Sequence, residues 1–292
     1  MATTLWPIIH RLSELLSLKK DLELAVRTNA PPSKVAVLRT EFESTTGAIE
    51  TALTQWQPHL PPNFVPDEED PEPPQAIAPS PIDNGSASDA AVVEPEPDPL
   101  SASERARLHS ILHNALAYRH SAFVYLYRTI YAYPRSHDTV QMHTRLALRH
   151  CVSTVAYEGP MGALLWPLFA AACEAMSSED RELAARAFTA ITKRQGMMNI
   201  ERAWEIVQEV WRRADWADVV ARLGEAGVIY PSNSSSGSGS SSSSSSNANS
   251  SNASGTSVSS GAGKERVARE VARDAELWRR VSREMGVSIV FG

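Results

Sequence analysis

The stretch Ser101–Pro134, SASERARLHSILHNALAYRHSAFVYLYRTIYAYP, decides the fold class. Leu108, Leu112, Ala115, Ala122 and Leu126 fall on one helical face. Leu116, Phe123, Tyr127 and Ile130 fall on another. A helix at a protein surface needs one apolar stripe, so a helix apolar on most sides belongs in the middle of a bundle. Ser101 or Ser103 can supply its N-cap, and the spacing predicts a helix that runs to Tyr133, before Pro134.

Outward from this helix the same periodicity continues in both directions. Ile8, Leu12, Leu15, Leu22 and Val26 recur at steps of three, four or seven, and Pro31-Pro32 closes that helix. Val35, Leu38, Phe42, Ile49, Leu53 and Trp56 form a second stripe, closed by Pro58. On the C-terminal side helices are predicted from about Thr139 to Tyr157 and from Ala163 to Met176. Another is predicted from Ser177-Ser178 to Gly196. Asn199 can cap a seventh helix, Asp215 a short eighth through Leu223, and a last one is predicted over Lys264–Met285. Only Val287–Phe291 hints at a strand. The class is all-α: a multi-helix, bundle-like arrangement interrupted by two low-complexity tracts.

The charge distribution locates those tracts. The 292 residues carry a net charge of −6, but residues 61–100 hold 10 acids and no base, together with 11 of the 19 prolines. Proline removes a donor and bars the helix interior, and uncompensated like charge opposes compaction. Residues 61–100 therefore read as a disordered acidic, Pro-rich linker. Residues 232–260 contain 18 serines in 29 positions, within an uncharged span, 231–263, that reads as a flexible Ser-rich insert. The candidate structure is left in three pieces: 1–60, 101–230 and 264–292.

The N-terminus lacks a secretory signal pattern, and the longest apolar run, Met161–Cys173, is too short to span a bilayer. A soluble intracellular protein with reduced thiols is expected, and two cysteines, Cys151 and Cys173, build neither a disulfide framework nor a multi-cysteine metal cluster. The sequons at Asn84, Asn233, Asn249 and Asn252 then mark only exposed polar tracts.

Candidate chemistry is sparse. His109 and His113 lie four apart, with His120 seven further on, a spacing that can place two imidazoles on one face as metal ligands. A working site needs a third ligand, so these read as ordinary polar positions on a long helix. Asp67-Glu68-Glu69-Asp70 is flanked by Pro66 and Pro71, which denies it a rigid ligand geometry, and it reads as a solvated acidic tract. Phe64, Val65, Ile77, Val92 and Val93 interleave with the acids, as in an acidic-hydrophobic interaction segment. Nucleophile-elbow and phosphate-loop motifs do not occur, and the 23 Arg and 5 Lys are mixed with acids rather than clustered. No catalytic, cofactor-binding or metal-ligating residue is assigned, and neither an enzyme nor a direct DNA-binding surface is expected.

Residues 164–213 are distinctive. Leu164-Leu165-Trp166-Pro167-Leu168-Phe169 leads into Cys173-Glu174-Ala175. Asp180-Arg181, Gly196, Asn199-Ile200 and Glu209-Val210-Trp211-Arg212-Arg213 follow. This order resembles the C-terminal regulatory region of fungal zinc-cluster transcription factors, the fungal-specific transcription factor domain class. Residues 5–26, 117–134 and 278–292 resemble its early Leu-rich helix, its Ala-Tyr and Tyr-Leu segment and its closing motif. The resemblance implies transcriptional regulation in the nucleus through protein partners, either transcription machinery or a full-length family member, with a homo- or heterodimer possible.

In that family a six-cysteine N-terminal module holds two zinc ions and reads DNA. This chain lacks those cysteines, so no zinc cofactor and only indirect DNA contact are expected of it. The alternatives are a helical interaction scaffold outside transcription and a helical enzyme. Trp204, Trp211 and Trp216 are expected as core anchors on neighbouring helices, and Trp166-Pro167 as a kink inside an apolar helix.

Overall fold

The computed structural model describes residues 3–66, 100–157, 163–225 and 277–287. Eight α-helices occur among them, and no strand. They are α1 (Trp6–Arg27), α2 (Pro32–Gln55), α3 (Ala102–Tyr125), α4 (Asp138–Ala156), α5 (Leu165–Glu174), α6 (Ser178–Gln195), α7 (Met198–Glu225) and α8 (Leu277–Glu284). The all-α expectation holds. Residues 67–99 of the acidic linker, the whole 231–263 insert, residues 264–276 of the last predicted helix and the Ser288–Phe291 part of the strand hint lie outside the described residues. Among the described residues no helix is long and apolar enough to cross a membrane.

Local chemistry sets the helix ends. The Ser101 hydroxyl accepts from the Glu104 amide, while the Glu104 carboxylate accepts from the Ser101 amide, a reciprocal capping box. Ser177 caps α6 at the Asp180 amide, and Gly196, in the left-handed region at φ 57°, ends it. Pro32 opens α2 at a position where a missing N–H is harmless.

Helix α3 is central, although residues of both predicted apolar faces, Ala115 and Ala122 as well as Phe123, Tyr127 and Ile130, enter one and the same core. Ala115, Tyr118, Ala122, Phe123 and Leu126 meet α1 and α2 in one core, with Leu12, Leu15, Ile49 and Leu53. Ala117 faces a second core made by α4 to α8, which includes Leu148, Leu168, Phe188, Ile191, Val207 and Val281. Helices α1 and α2 run antiparallel, since Trp56 at the end of α2 donates its indole N–H to Thr4 at the start of α1, 2.9 Å away. The α1 stripe turns by one residue near its end: Ala25 is buried and Val26 is exposed.

Four expectations are corrected. Helix α3 stops at Tyr125 and passes into a π turn, Leu126–Ile130, then a left-handed Ala132 at φ 55°. Lys19 from α1 binds the carbonyls of Thr129 and Ile130 at 2.6 and 3.1 Å, satisfying the ends this turn leaves open. Helix α7 is continuous through Asp215, because nothing between Asn199 and Leu223 breaks it. Asp215 instead takes two hydrogen bonds from Arg181, at 2.6 and 2.8 Å. Pro167 is the third residue of α5, where its absent N–H would have no intrahelical acceptor, so no mid-helix proline kinks α5. Trp204 and Trp211 pack against the second core from one and the same helix, while Trp216 is 65% exposed. Trp216 lies where α7 runs past the core.

Candidate functional site

Two features of the interior carry polar chemistry: the seam between α3 and α4, and a cavity against α5. The seam holds five imidazoles. His109, His113 and His120 project from α3, and His143 and His150 from α4. The helices run antiparallel, so His113 meets His150 with their Nδ1 atoms 3.0 Å apart, and His120 meets His143 at 2.9 Å. The His150 and His120 rings lie 5.6 Å apart, nearly parallel, and link the two pairs into one column. Tyr157 stacks on His109 at 4.7 Å, Phe64 meets His109 edge-on at 4.8 Å, and Phe123 stacks on His143 at 4.4 Å.

A direct Nδ1-to-Nδ1 hydrogen bond needs one donor and one acceptor. Each pair therefore combines the two neutral tautomers, or holds one proton in excess. Burial, the largest cause, lowers the proton affinity of His120 to about 2, of His143 to about 4 and of His150 to about 3. Neighbouring imidazoles add to this at His120 and His150, and the Arg119 guanidinium adds to it at all three. At neutral pH these three imidazoles are uncharged packing groups.

His109, His113 and His120 are thus not ordinary surface positions. His109 is 2% and His120 8% exposed. Among the described residues no group of three or more His, Cys, Asp or Glu side chains is arranged to hold a metal ion. His143 and His150 escaped the sequence reading, although their seven-residue spacing matches that of His113 and His120. Asp67-Glu68-Glu69-Asp70 lies outside the described residues, whereas Phe64 is buried.

The cavity has a volume of about 210 Å³ and lies between the end of α3, its π turn, α5 and α8. Tyr125, Trp166, Phe169 and Trp278 give it aromatic walls, with Val124, Ala170 and Cys173 between them. Three ionic groups line it. Arg128 Nε donates to Glu174 Oε2 at 2.7 Å, and both side chains are nearly fully buried. Arg279 of α8 lies over the Trp278 ring at 4.8 Å and the Tyr125 ring at 6.0 Å, and donates to the Tyr125 hydroxyl at 3.2 Å.

The π turn sits at this cavity: Arg128 and Thr129, which line it, belong to the turn. The far end of α5 is held by Arg135, which donates to the carbonyls of Glu174 and Ala175, and by Gln141, which donates to the Glu174 carbonyl at 2.9 Å. Trp166 stacks on Tyr118 at 5.4 Å, and Trp211 donates to the Ala172 carbonyl at 2.7 Å. The most distinctive residues of the 164–175 block therefore hold α5 in place and form a cavity wall.

Both cysteines are free and buried. Burial pushes their thiols up, Cys173 further raised by Glu174, so they stay protonated and pack as small apolar groups. The cavity thus presents aromatic faces, the buried Arg128–Glu174 ion pair and the Arg279 guanidinium.

Comparison with known proteins adds one match. Residues 1–229 match the family described as the fungal specific transcription factor domain. No curated protein and no solved structure matches the chain.

Proposed function

The chain belongs to the fungal specific transcription factor domain family, and from that premise we propose that it is a regulatory domain of a zinc-cluster type transcriptional regulator. It acts in the nucleus by contact with other proteins, not by catalysis. The observation that carries this reading is the extent of the family match, which runs from the first helix to the end of α7 and takes in the first core and all of the second but its α8 residues. Base recognition belongs to a zinc-cluster module on a partner or elsewhere in the regulator. The exposed end of α7, with Trp216, Val219 and Val220 at helical spacing, supports a contact role for the surface.

The test is a fusion of the full chain to an unrelated DNA-binding domain, expressed in yeast with a reporter bearing that domain's site. Reporter output should rise or fall at least about threefold against the DNA-binding domain alone, a shift of under 1 kcal/mol in occupancy of the transcribing state. An unchanged reporter, with the fusion shown to be nuclear and bound to its site, would overturn the reading.

A further inference from the structure

We propose that the cavity between α5 and α8 binds a small neutral aromatic molecule, one ring or two fused rings without a formal charge. Its size sets the first limit. A dry cavity of roughly 150 Å³ accommodates benzene, and this one measures about 210 Å³. It therefore has room for one ring, or two fused rings, with a short substituent. A sterol, a nucleotide or a peptide is too large for it. The walls set the second limit. Half-buried Tyr125, Trp166, Ala170 and Trp278 line it together with buried Val124 and Phe169, so the cavity leads from the surface to the interior. Four of these six side chains are aromatic and favour a planar guest that can stack or meet a ring edge-on.

Charge sets the third. The ionic groups of the lining are engaged within the protein. Arg128 and Glu174 pair at 2.7 Å, both nearly fully buried, and Arg128 also donates to the Tyr133 carbonyl. Arg279 lies over the rings of Trp278 and Tyr125 and donates to the Tyr125 hydroxyl at 3.2 Å. A charged guest would give up its hydration while each of these groups already has a partner, and burying a charge on those terms is costly. A neutral ring gives up far less and gains dispersion and edge contacts from the walls. Cys173, free and buried, adds a soft apolar sulfur to the lining.

The fourth observation concerns where the walls come from. Trp278 lies beyond residue 229, outside the stretch that matches the family, so one aromatic wall is supplied by α8. That short helix is anchored by buried Leu277 and Val281 and by the ion pair of Glu284 with Arg213. The Trp278 ring meets Phe169 of α5 edge-on at 5.5 Å. A guest seated against both rings would fasten α8 to the core. The claim concerns binding, and it stands whether or not the domain regulates transcription.

The test uses the purified full chain with benzyl alcohol and naphthalenemethanol as neutral probes. Each is compared with its carboxylate, benzoate or naphthoate, and with its ammonium counterpart at neutral pH. Binding is followed by calorimetry and by saturation-transfer NMR of the probe. At least one alcohol should bind saturably with a Kd at or below about 1 mM. Its carboxylate and its ammonium counterpart should each bind weaker by about tenfold or more. Ala170→Phe, which fills the cavity while keeping every charge, should abolish binding in a protein whose circular dichroism is unchanged. Ala170→Leu, a smaller filler that serves where the larger one fails to fold, should weaken binding at least about threefold. The proposal falls if neither alcohol binds, if a charged counterpart binds as well as its alcohol, or if the folded Ala170 variants leave binding intact. A silent reporter with intact binding would overturn the transcriptional reading alone.

Discussion

The α3–α4 seam and the core around α5, α6 and α7 are made of different material, and the seam is the less deeply buried of the two, with His113 and His150 only half-buried. The seam stacks imidazoles and phenol rings, and its contacts include two Nδ1-to-Nδ1 hydrogen bonds. The other core is alanine, valine, isoleucine, leucine and phenylalanine, most of it under 2% exposed. Apolar burial is indifferent to protons. A neutral imidazole pair is stable only while it stays neutral. One molecule therefore contains a region whose stability depends on pH beside one whose stability does not.

The largest effect that sharpens this contrast comes from acid. Unfolded imidazoles take up protons near 6.5, whereas His120, His143 and His150 stay neutral in the fold until about 2, about 4 and about 3. Below pH 6.5 the unfolded chain thus binds more protons, so stability is complete above that value and declines as the pH falls toward 4. Between pH 7 and pH 5 each of these imidazoles should cost about 2 kcal/mol, and the seam about 4–6 kcal/mol together. Urea denaturation at a series of pH values measures this. A flat profile from pH 7 to pH 5 would show that the folded seam takes up protons in step with the unfolded chain.

Next in size is Phe188→Ala in the apolar core, where Phe188 is 1% exposed and meets Trp204 at 5.0 Å. It should cost about 3–5 kcal/mol. The same loss is expected at pH 7 and at pH 5.5, since no titrating group joins that contact. A loss that grows on acidification would break the comparison by coupling the two regions.

The smallest of the three is His143→Phe. It leaves His120 Nδ1 buried without its hydrogen-bond partner, at a cost of about 1–3 kcal/mol at pH 7. It also removes one titrating group, so the decline with acid should be shallower than in the parent chain by about 2 kcal/mol between pH 7 and pH 5. Parallel pH profiles for the two proteins would place the proton uptake elsewhere.

Much of the fold was legible in the residues. The two-faced pattern of Leu108 to Ile130 placed α3 at the centre, and the Ser101, Ser177 and Gly196 signals set helix ends to within a residue. Those signals are local: a cap or a stripe acts within one or two turns of its own helix. The interior polar features were not legible in the same way. His109, His113 and His120 showed a shared face on α3, but whether that face is wet depends on which helix lies over it. His143 and His150 form bonds only because the antiparallel register of α4 sets 113 against 150 and 120 against 143. Asp215 illustrates the converse error. Its residue type suggested a cap, and an arginine 34 positions away gave it a different use.

The cavity is the clearest case of a feature absent from any local pattern. Its lining comes from three separate stretches, residues 124–129, 166–174 and 278–279, and Arg279 meets Tyr125 across 154 positions. By itself the sequence determined the helical class, the order of the helices, the ends marked by Ser101, Ser177 and Gly196, and the resemblance to the family that the chain belongs to. Each of these follows from periodicity, capping or residue order along the chain. Only the tertiary structure decided that five histidines share one seam, that Trp216 faces solvent, and that a cavity of about 210 Å³ opens beside Trp278. Those depend on the register and angle at which separate helices pack, and no stretch of chain carries that information alone.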